Sequence, residues 1–460
     1  MSLDNPSARI NTENPLGRLS LDGESAALVV GMGKTGYSVA RFLSQQGVHF
    51  AVIDTRQAPP FLAEFSEELP DAAIFLGGFE APAFDVATHL IVSPGVSLNE
   101  PAIADARRRG VRVLGDLDLF ACMAKAPIIA ITGANGKSTV TTLVGQMARA
   151  DGRDVRAGGN LGTPMLELLD DKADLYMLEL SSFQLETSHL LEPIAATVLN
   201  ISPDHLDRYA DLQAYADAKK RIFNGDGLMV LNRDDPMVAA MADSARRRVE
   251  FSIETVADYC LSSIAGEEWL ACQGEPLMRC SDVRLHGRHN LANALAALAL
   301  GDAVGLSRTA MTACLGEFAG LAHRMQEVGD LDGVTWINDS KATNVGACMA
   351  ALAGMKDNVI LIAGGDGKGA DFRVLRPVVN EKVKAAVLMG RDAGLLDSAW
   401  GDLIKTVRVD NMPQAVRAAK DLAGAGDVVL LAPACASLDQ YKDYQERGRM
   451  FADAVRRLAS

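Results

Sequence analysis

Lys137, Ser138 and Thr139 close the run Ile129-Ala-Ile-Thr-Gly-Ala-Asn-Gly-Lys-Ser-Thr139, behind Gly133 and Gly136. Residues of these types at this spacing can hold a chain of phosphates. Bare backbone N–H groups and a helix N-terminus face the anion, the lysine meets the terminal phosphates, and the hydroxyl is free for Mg²⁺. The loop is shorter than the usual G-x-x-x-x-G-K-[ST], with Ile131 where the first glycine belongs. An ordinary strand-to-helix turn would explain Gly133 and Gly136 but not the Lys-Ser-Thr triplet. A second loop, Gly31-Met-Gly33-Lys-Thr-Gly36, has an acid, Asp54, about 20 residues beyond it, as in the dinucleotide fingerprint. Read alone it suggests NAD. Its physical content is narrower: backbone can approach a pyrophosphate, and a UDP-sugar also carries one. A triphosphate site and a diphosphate site in one chain fit an ATP-driven ligase acting on a nucleotide-linked substrate. They fit a dehydrogenase poorly.

These loops need strands before them and helices after them, and the pattern supplies both. In the first unit, 26–115, Ala26–Val30, His49–Ile53, His89–Val92 and Val111–Leu114 read as strands, and Lys34–Gln46 as a helix. The central unit, 116–320, has strands at Ile128–Ile131, Leu175–Leu180, Ala196–Leu199 and Leu228–Leu231. Short antiparallel strands follow over Phe251–Leu285, then an apolar helix over Asn290–Ala303. Gly320 to Arg324 reads as a hinge into the third unit, 321–460, with strands near Val334–Ile337, Val359–Ala363, Ala385–Met389 and Val428–Leu431. Strands alternating with helices imply an α/β protein of three domains, each on a mainly parallel sheet. Residues 1–25 are polar and read as a loose lead-in. The composition agrees: 460 residues, 48% hydrophobic and 23% charged, allow about three domains. No apolar run is long enough to span a membrane. Seven scattered cysteines without a C-x-x-C pair suit reduced thiols in the cytoplasm. A net charge of −14 argues against a nucleic-acid partner, so anionic substrates must be held by local cations and backbone donors.

With these loops, several further strings resemble the Mur ligases of bacterial cell-wall synthesis, and among them the D-glutamate-adding branch. Thr132 to Thr139 is similar to the family's ATP loop, with Ala134 where Thr is common. Gly158-Gly-Asn-Leu-Gly162, Glu179-Leu-Ser-Ser-Phe-Gln184, Asp204-His-Leu-Asp-Arg208, Gly287-Arg-His-Asn290 and His323-Arg324 follow in order. The third unit adds Asn338-Asp-Ser-Lys-Ala-Thr-Asn344, Gly364-Gly-Asp-Gly-Lys-Gly-Ala-Asp371 and Pro433-Ala-Cys-Ala-Ser-Leu-Asp-Gln440. The last two, with Asp54-Thr-Arg56, point to the D-glutamate branch. The resemblance implies a Rossmann-like UDP domain, a P-loop ATPase-like centre and a Rossmann-like third domain. It implies an acyl-phosphate ligase joining D-glutamate to UDP-N-acetylmuramoyl-L-alanine with ATP and two Mg²⁺ ions, acting as a monomer.

By that resemblance, ATP lies on Gly133, Asn135, Gly136, Lys137, Ser138 and Thr139, with Asn290 and Asn293 near the adenine and Arg324 and Asp339 reaching over from the third unit. Metal falls to Ser138, Glu179, His205 and a carbamylated Lys219, with Lys220 as the competing position. A plain ammonium cannot ligate Mg²⁺, which takes oxygen. The UDP-substrate falls to Lys34, Thr35, Asp54, Thr55, Arg56, Ser93 and Gly95, and its muramoyl end to Asn160, Ser181, Ser182 and Gln184. D-glutamate falls to Lys341, Thr343, Lys368, Ser437, Leu438 and Tyr444, with Arg447 nearby. Structural readings stand beside these: Glu179 as a solvated strand-end acid, His205 as a structural histidine, Lys219 and Lys220 as solvated helix lysines, Asn290 as a cap, and Gly364-Gly-Asp-Gly as an ordinary turn. Three other functions remain open: a folylpolyglutamate synthetase, an NAD-dependent dehydrogenase and a non-enzymatic nucleotide switch.

Overall fold

A computed structural model describes residues 15–22, 25–79, 82–160, 162–205, 208–285, 287–355 and 358–458. Leu161, Leu206 and Asp207, members of the matched strings, lie outside the described residues, as does most of the expected lead-in. Among the described residues the strands form three sheets. The first runs Ala73–Leu76, Phe50–Asp54, Ala27–Val30, His89–Val92, Arg112–Leu114, all parallel. The fully buried central strands are apolar along their length except for His89, as a sheet covered on both faces requires.

The second sheet places Ile128–Thr132 between Ala195–Val198 and Leu175–Glu179, with Val155–Gly159 at the edge. On the other side come Leu228–Asn232 and Arg248–Ser252, then Tyr259–Ile264, Glu267–Cys272 and Glu275–Arg279 as an antiparallel meander. Helix Arg288–Ala303 is buried along most of its length and packs with helix Lys137–Ala150 in one apolar cluster. The third sheet runs Gln326–Leu331, Val334–Asn338, Val428–Leu431, Val359–Gly364, Val383–Met389, Lys405–Arg408, parallel except for its first pair. Among the described residues no helix is long and apolar enough to cross a membrane.

The lead-in differs from expectation. Pro15–Leu19 is a 3₁₀ turn, and Leu16, Leu19 and Leu21 are buried against the first sheet and helix Asp116–Met123. Their side chains cover apolar surface that the sheet would otherwise expose. His89 Nε2, 3.0 Å from the Leu19 carbonyl, ties the turn down.

Candidate active site

The phosphate loop leaves the buried strand Ile128–Thr132 and enters the helix at Lys137. Gly136 has φ of 84°, and a Cβ there would meet Asn293 Oδ1 at 2.5 Å, so both conformation and space demand glycine. Asn200 braces the turn: its Oδ1 accepts from the Asn135 amide at 2.8 Å and its Nδ2 donates to the Asn135 carbonyl at 3.1 Å. Lys137 Nζ is folded onto its own loop, donating to the carbonyls of Gly133 at 2.8 Å and Ala134 at 2.9 Å. From the third unit, Arg324 Nη2 donates to Ser138 Oγ at 2.6 Å.

Around this loop lies a cavity of about 320 Å³ at the carboxyl ends of the central strands. Lys137, Lys219, Arg324, Lys341 and Lys368 line it, against Glu179, Asp204 and Asp339. A cationic excess in so acidic a chain is the local arrangement an anionic ligand needs. Gly136, Asn135, Ser138, Thr139, Asn160, Ser181, His205, Asn290, Asn293 and Thr343 also face it. Asn290 and Asn293, one helical turn apart, are joined by a 3.0 Å hydrogen bond.

Glu179 ends its strand 2% exposed. Oε1 accepts from Asn160 Nδ2 at 2.9 Å, while Oε2 is buried without a hydrogen-bond partner among the described residues. An orphaned carboxylate oxygen facing a cavity is what a cation would satisfy. Helix Leu212–Lys220 separates the two candidate lysines. Lys219 is 1% exposed, its Nζ 3.2 Å from Thr132 Oγ1 and 4.6 Å from the Tyr215 ring centroid. Lys220 is exposed and away from the cavity. Burial, with repulsion from Lys137, holds the Lys219 amine well below the ordinary lysine pKa. His205 sits at φ of 56°, edge-on to Phe183 with ring centroids 4.7 Å apart.

Two acids stand out electrostatically. Burial pushes Asp339 up to about 7. Asp204 is held below its usual value: burial alone would raise it, and Lys368 and His205 pull it down. Asp204 had no assigned role in the sequence. Here it bridges the second and third units, 3.5 Å from Lys368 Nζ and accepting from Asn344 Nδ2 at 3.1 Å. The only sequence signal was its place beside His205, and Asn344's place at the end of a matched string. Lys341, pushed down to about 8 by burial and neighbouring cations, lies 4.3 Å from the Tyr444 ring centroid.

A second cavity of about 520 Å³ adjoins the first unit. Gly31, Gly33, Lys34, Thr35, Asp54, Thr55, Arg56, Ser93 and Gly95 line it, with Asn160, Gly162 and Gln184 from the central unit. Gly36 is not part of its wall. A Cβ there would lie 1.8 Å from the Gly31 carbonyl oxygen, so glycine permits the helix to pack on the strand. Both Asp54 oxygens are taken: Oδ1 by the Arg56 amide and Nε, Oδ2 by the Met32 amide and Arg56 Nη2. Burial alone would raise this acid, but those bonds hold it at about 2. Asp54 therefore braces the loop and aims Arg56, and it has no oxygen spare for the adenosine ribose of a dinucleotide. Lys34 Nζ crosses to the Gly162 carbonyl at 2.6 Å. Asn160 lines both cavities and so connects them.

Four expected residues are not brought to either cavity: Gly133, whose carbonyl takes Lys137 Nζ, and three from the third unit. Ser437 is buried beside the Asp366–Ala436 bridge, Leu438 is 72% exposed, and Tyr444 approaches only through Lys341. Ser181 and Gln184 form a reciprocal capping box on helix Ser182–Glu186, which accounts for their types without any ligand.

Three family descriptions match consecutive stretches: Mur ligase MurD-like N-terminal domain over residues 25–115, Mur ligase middle domain over 131–301, and Mur ligase glutamate ligase domain over 323–435. The chain belongs to the Mur ligase family. Among relatives of this Mur ligase, the UDP-N-acetylmuramoylalanine–D-glutamate ligase of Methylococcus capsulatus is 59% identical over 456 residues, covering 98% of this chain and 99% of that one. The enzyme of the same name from Nitrosococcus oceani is 53% identical, covering 95% and 97%. Solved structures share the fold at low identity. The UDP-N-acetylmuramate-alanine ligase of Thermotoga maritima has a TM-score of 0.60 at 19% identity, covering 94% of this chain and 99% of that one. A pseudomurein peptide ligase from Methanothermus fervidus has 0.58 at 18%, covering 95% and 100%.

Proposed function

We propose that this Mur ligase joins D-glutamate to UDP-N-acetylmuramoyl-L-alanine, converting ATP to ADP and phosphate. One observation carries the reading: a phosphate-loop cavity and a diphosphate-loop cavity meet at Asn160. A nucleotide-linked carboxylate seated in the second can thus extend toward the γ-phosphate of ATP in the first. Relatives named for this reaction, at 59% and 53% identity over nearly the whole chain, support it. The saturated Asp54 weighs against a dinucleotide.

The chemistry follows from the need to activate a carboxylate. The alanyl carboxylate oxygen attacks the γ-phosphorus and ADP leaves, forming an acyl phosphate. The D-glutamate amine then attacks the acyl carbon, losing a proton as phosphate departs. Lys137 swings from its loop carbonyls to the β- and γ-phosphates, and Arg324 and Asp339 grip the nucleotide from the third unit. Asn290 and Asn293 border the adenine. Lys341, Thr343 and Lys368 hold the D-glutamate carboxylates, and closure of the third unit over the cavity excludes water. Lys34, Thr35, Thr55, Arg56, Ser93 and Gly95 hold the uridine diphosphate.

The donor set fits Mg²⁺. Among the described residues no group of three His, Cys, Asp or Glu side chains forms a metal cage, but Mg²⁺ takes one or two protein ligands and completes its shell with substrate phosphates and water. Glu179 Oε2 and Ser138 Oγ would hold one ion, and His205 with Lys219 a second. When bound, the ions neutralise charge on the phosphoryl oxygens. Lys219 can serve only as a carbamate, formed when its uncharged amine adds CO₂ and releases a proton; burial supplies that amine form. Lys220, exposed, has no such bias. As part of this proposal the enzyme works as a monomer in the cytoplasm, the compartment that supplies its ATP. Phosphate release should require ATP, UDP-N-acetylmuramoyl-L-alanine and D-glutamate together. Release undiminished without the UDP-substrate or without D-glutamate would overturn the reading.

A further inference from the structure

Arg447 is among the largest fully buried side chains, 2% exposed, in the first turn of helix Tyr444–Leu458. Its guanidinium makes four hydrogen bonds. Nε donates to Ser340 Oγ at 3.0 Å and Nη2 to the Ser340 carbonyl at 2.8 Å. Nη1 donates to the carbonyls of Cys435 at 3.1 Å and Gly364 at 3.4 Å. All four acceptors are uncharged, so this buried cation is held by neutral oxygens, with Asp439 acting on its charge only from outside hydrogen-bond reach.

The acceptors lie on three different loops, each following a neighbouring strand of the third sheet. Ser340 follows Val334–Asn338 and precedes Lys341 and Thr343. Gly364 ends its strand and precedes Lys368. Cys435 follows Val428–Leu431 and precedes Ser437. One planar fork therefore spans the loops that carry all the side chains suited to an amino-acid carboxylate. Its helix is pinned to the same place: Ser340 Oγ donates to the Tyr444 carbonyl at 2.8 Å, and Asn338 Nδ2 to the Gly448 carbonyl at 2.9 Å. Lysine could not reproduce this geometry, because an ammonium lacks the fork's fixed spread of donors.

We propose that Arg447 is the positioning residue of the amino-acid subsite, tying the Ser340–Thr343, Gly364–Lys368 and Cys435–Ser437 loops into one floor beneath the D-glutamate carboxylates. The inference rests on the D-glutamate reading above.

The test compares wild type, Arg447→Met and Arg447→Lys in the full chain, measuring KM for each of three substrates together with thermal melting. Arg447→Met should raise KM for D-glutamate by about ten- to a hundredfold, the factor lost when one charge-assisted contact of Lys341 or Lys368 is misplaced. KM for ATP and for UDP-N-acetylmuramoyl-L-alanine should stay within about threefold, since the fork touches neither site. Arg447→Lys should lie between wild type and Arg447→Met. A purely structural role would lower the melting temperature and leave the D-glutamate KM alone, or raise all three constants together; either outcome overturns the proposal. If Arg447→Met does not fold, the same split in Arg447→Lys decides, and an unchanged D-glutamate KM there refutes it. Wild-type phosphate release that ignores D-glutamate would sink the functional reading itself, before any variant is compared.

Discussion

Lys219 offers a test in which stability and activity move in opposite directions. The amine is 1% exposed, its hydrogen bond is a 3.2 Å contact to Thr132 Oγ1, and among the described residues no carboxylate pairs with it. Leaving a buried polar group this poorly satisfied costs about 1–3 kcal/mol, and replacing it with an apolar side chain of similar length removes that cost. Lys219→Met should therefore stabilise the central unit by about 1–3 kcal/mol, or roughly 2–4 °C per kcal/mol for a unit of this size. The same change removes a preorganised ligand, and activity should fall by on the order of 10²-fold or more. Lys219→Arg should be equally inactive, because guanidinium forms no such carbamate and keeps its charge. Lys219→Ala should recover part of its activity in acetate, whose carboxylate can occupy the vacated volume; Lys219→Arg should not. Calorimetric melting and phosphate release on the three variants, with and without acetate, supply the data. An active Lys219→Arg variant refutes the metal-ligand role. A Lys219→Met variant less stable than wild type refutes the reading of the amine as a buried group kept for chemistry.

Three further outcomes follow from the geometry. Lys137→Ala should abolish phosphate release while leaving binding of the UDP-substrate intact by calorimetry, because Lys137 lines the phosphate-loop cavity and not the other; normal turnover in the folded variant would remove the phosphate-loop assignment. Arg56→Ala should raise KM for the UDP-substrate more than it lowers kcat, since its contacts lie far from the reacting carboxylate and count equally in ground and transition states. A large kcat loss at unchanged KM would place Arg56 elsewhere. Lys341 loses its proton near pH 8 in the free protein, and only the ammonium attracts a carboxylate. D-glutamate binding should be fully present below that value and weaken as pH rises through it. Affinity flat from pH 7 to about 9 in a calorimetric titration would rule the lysine out of carboxylate binding.

Short-range pattern made the two anion loops readable. A continuous apolar run, then glycines, then a cationic or hydroxylic helix start is a local signal, and both loops stand in strand-turn-helix units. The buried central strands were readable for the same reason. The strands that escaped reading are mostly sheet edges: Ala73–Leu76, Val155–Gly159, Gln326–Leu331 and Lys405–Arg408. Edge strands are half-exposed, so their sequences carry no unbroken apolar run. The buried turn at Leu16 to Leu21 was missed because three leucines in a polar stretch show no periodicity until a sheet surface is there to receive them. The choice between Lys219 and Lys220 belonged wholly to the tertiary structure. Adjacent helix residues point about 100° apart, and only packing tells which direction is inward. Asp204 joining Lys368 and Asn344, and Arg447 joining three loops, connect residues 83 to 164 positions apart or straddle strand order. Such pairings depend on which strands lie side by side, and side-by-side order is set by the burial of whole faces, which no local spacing records.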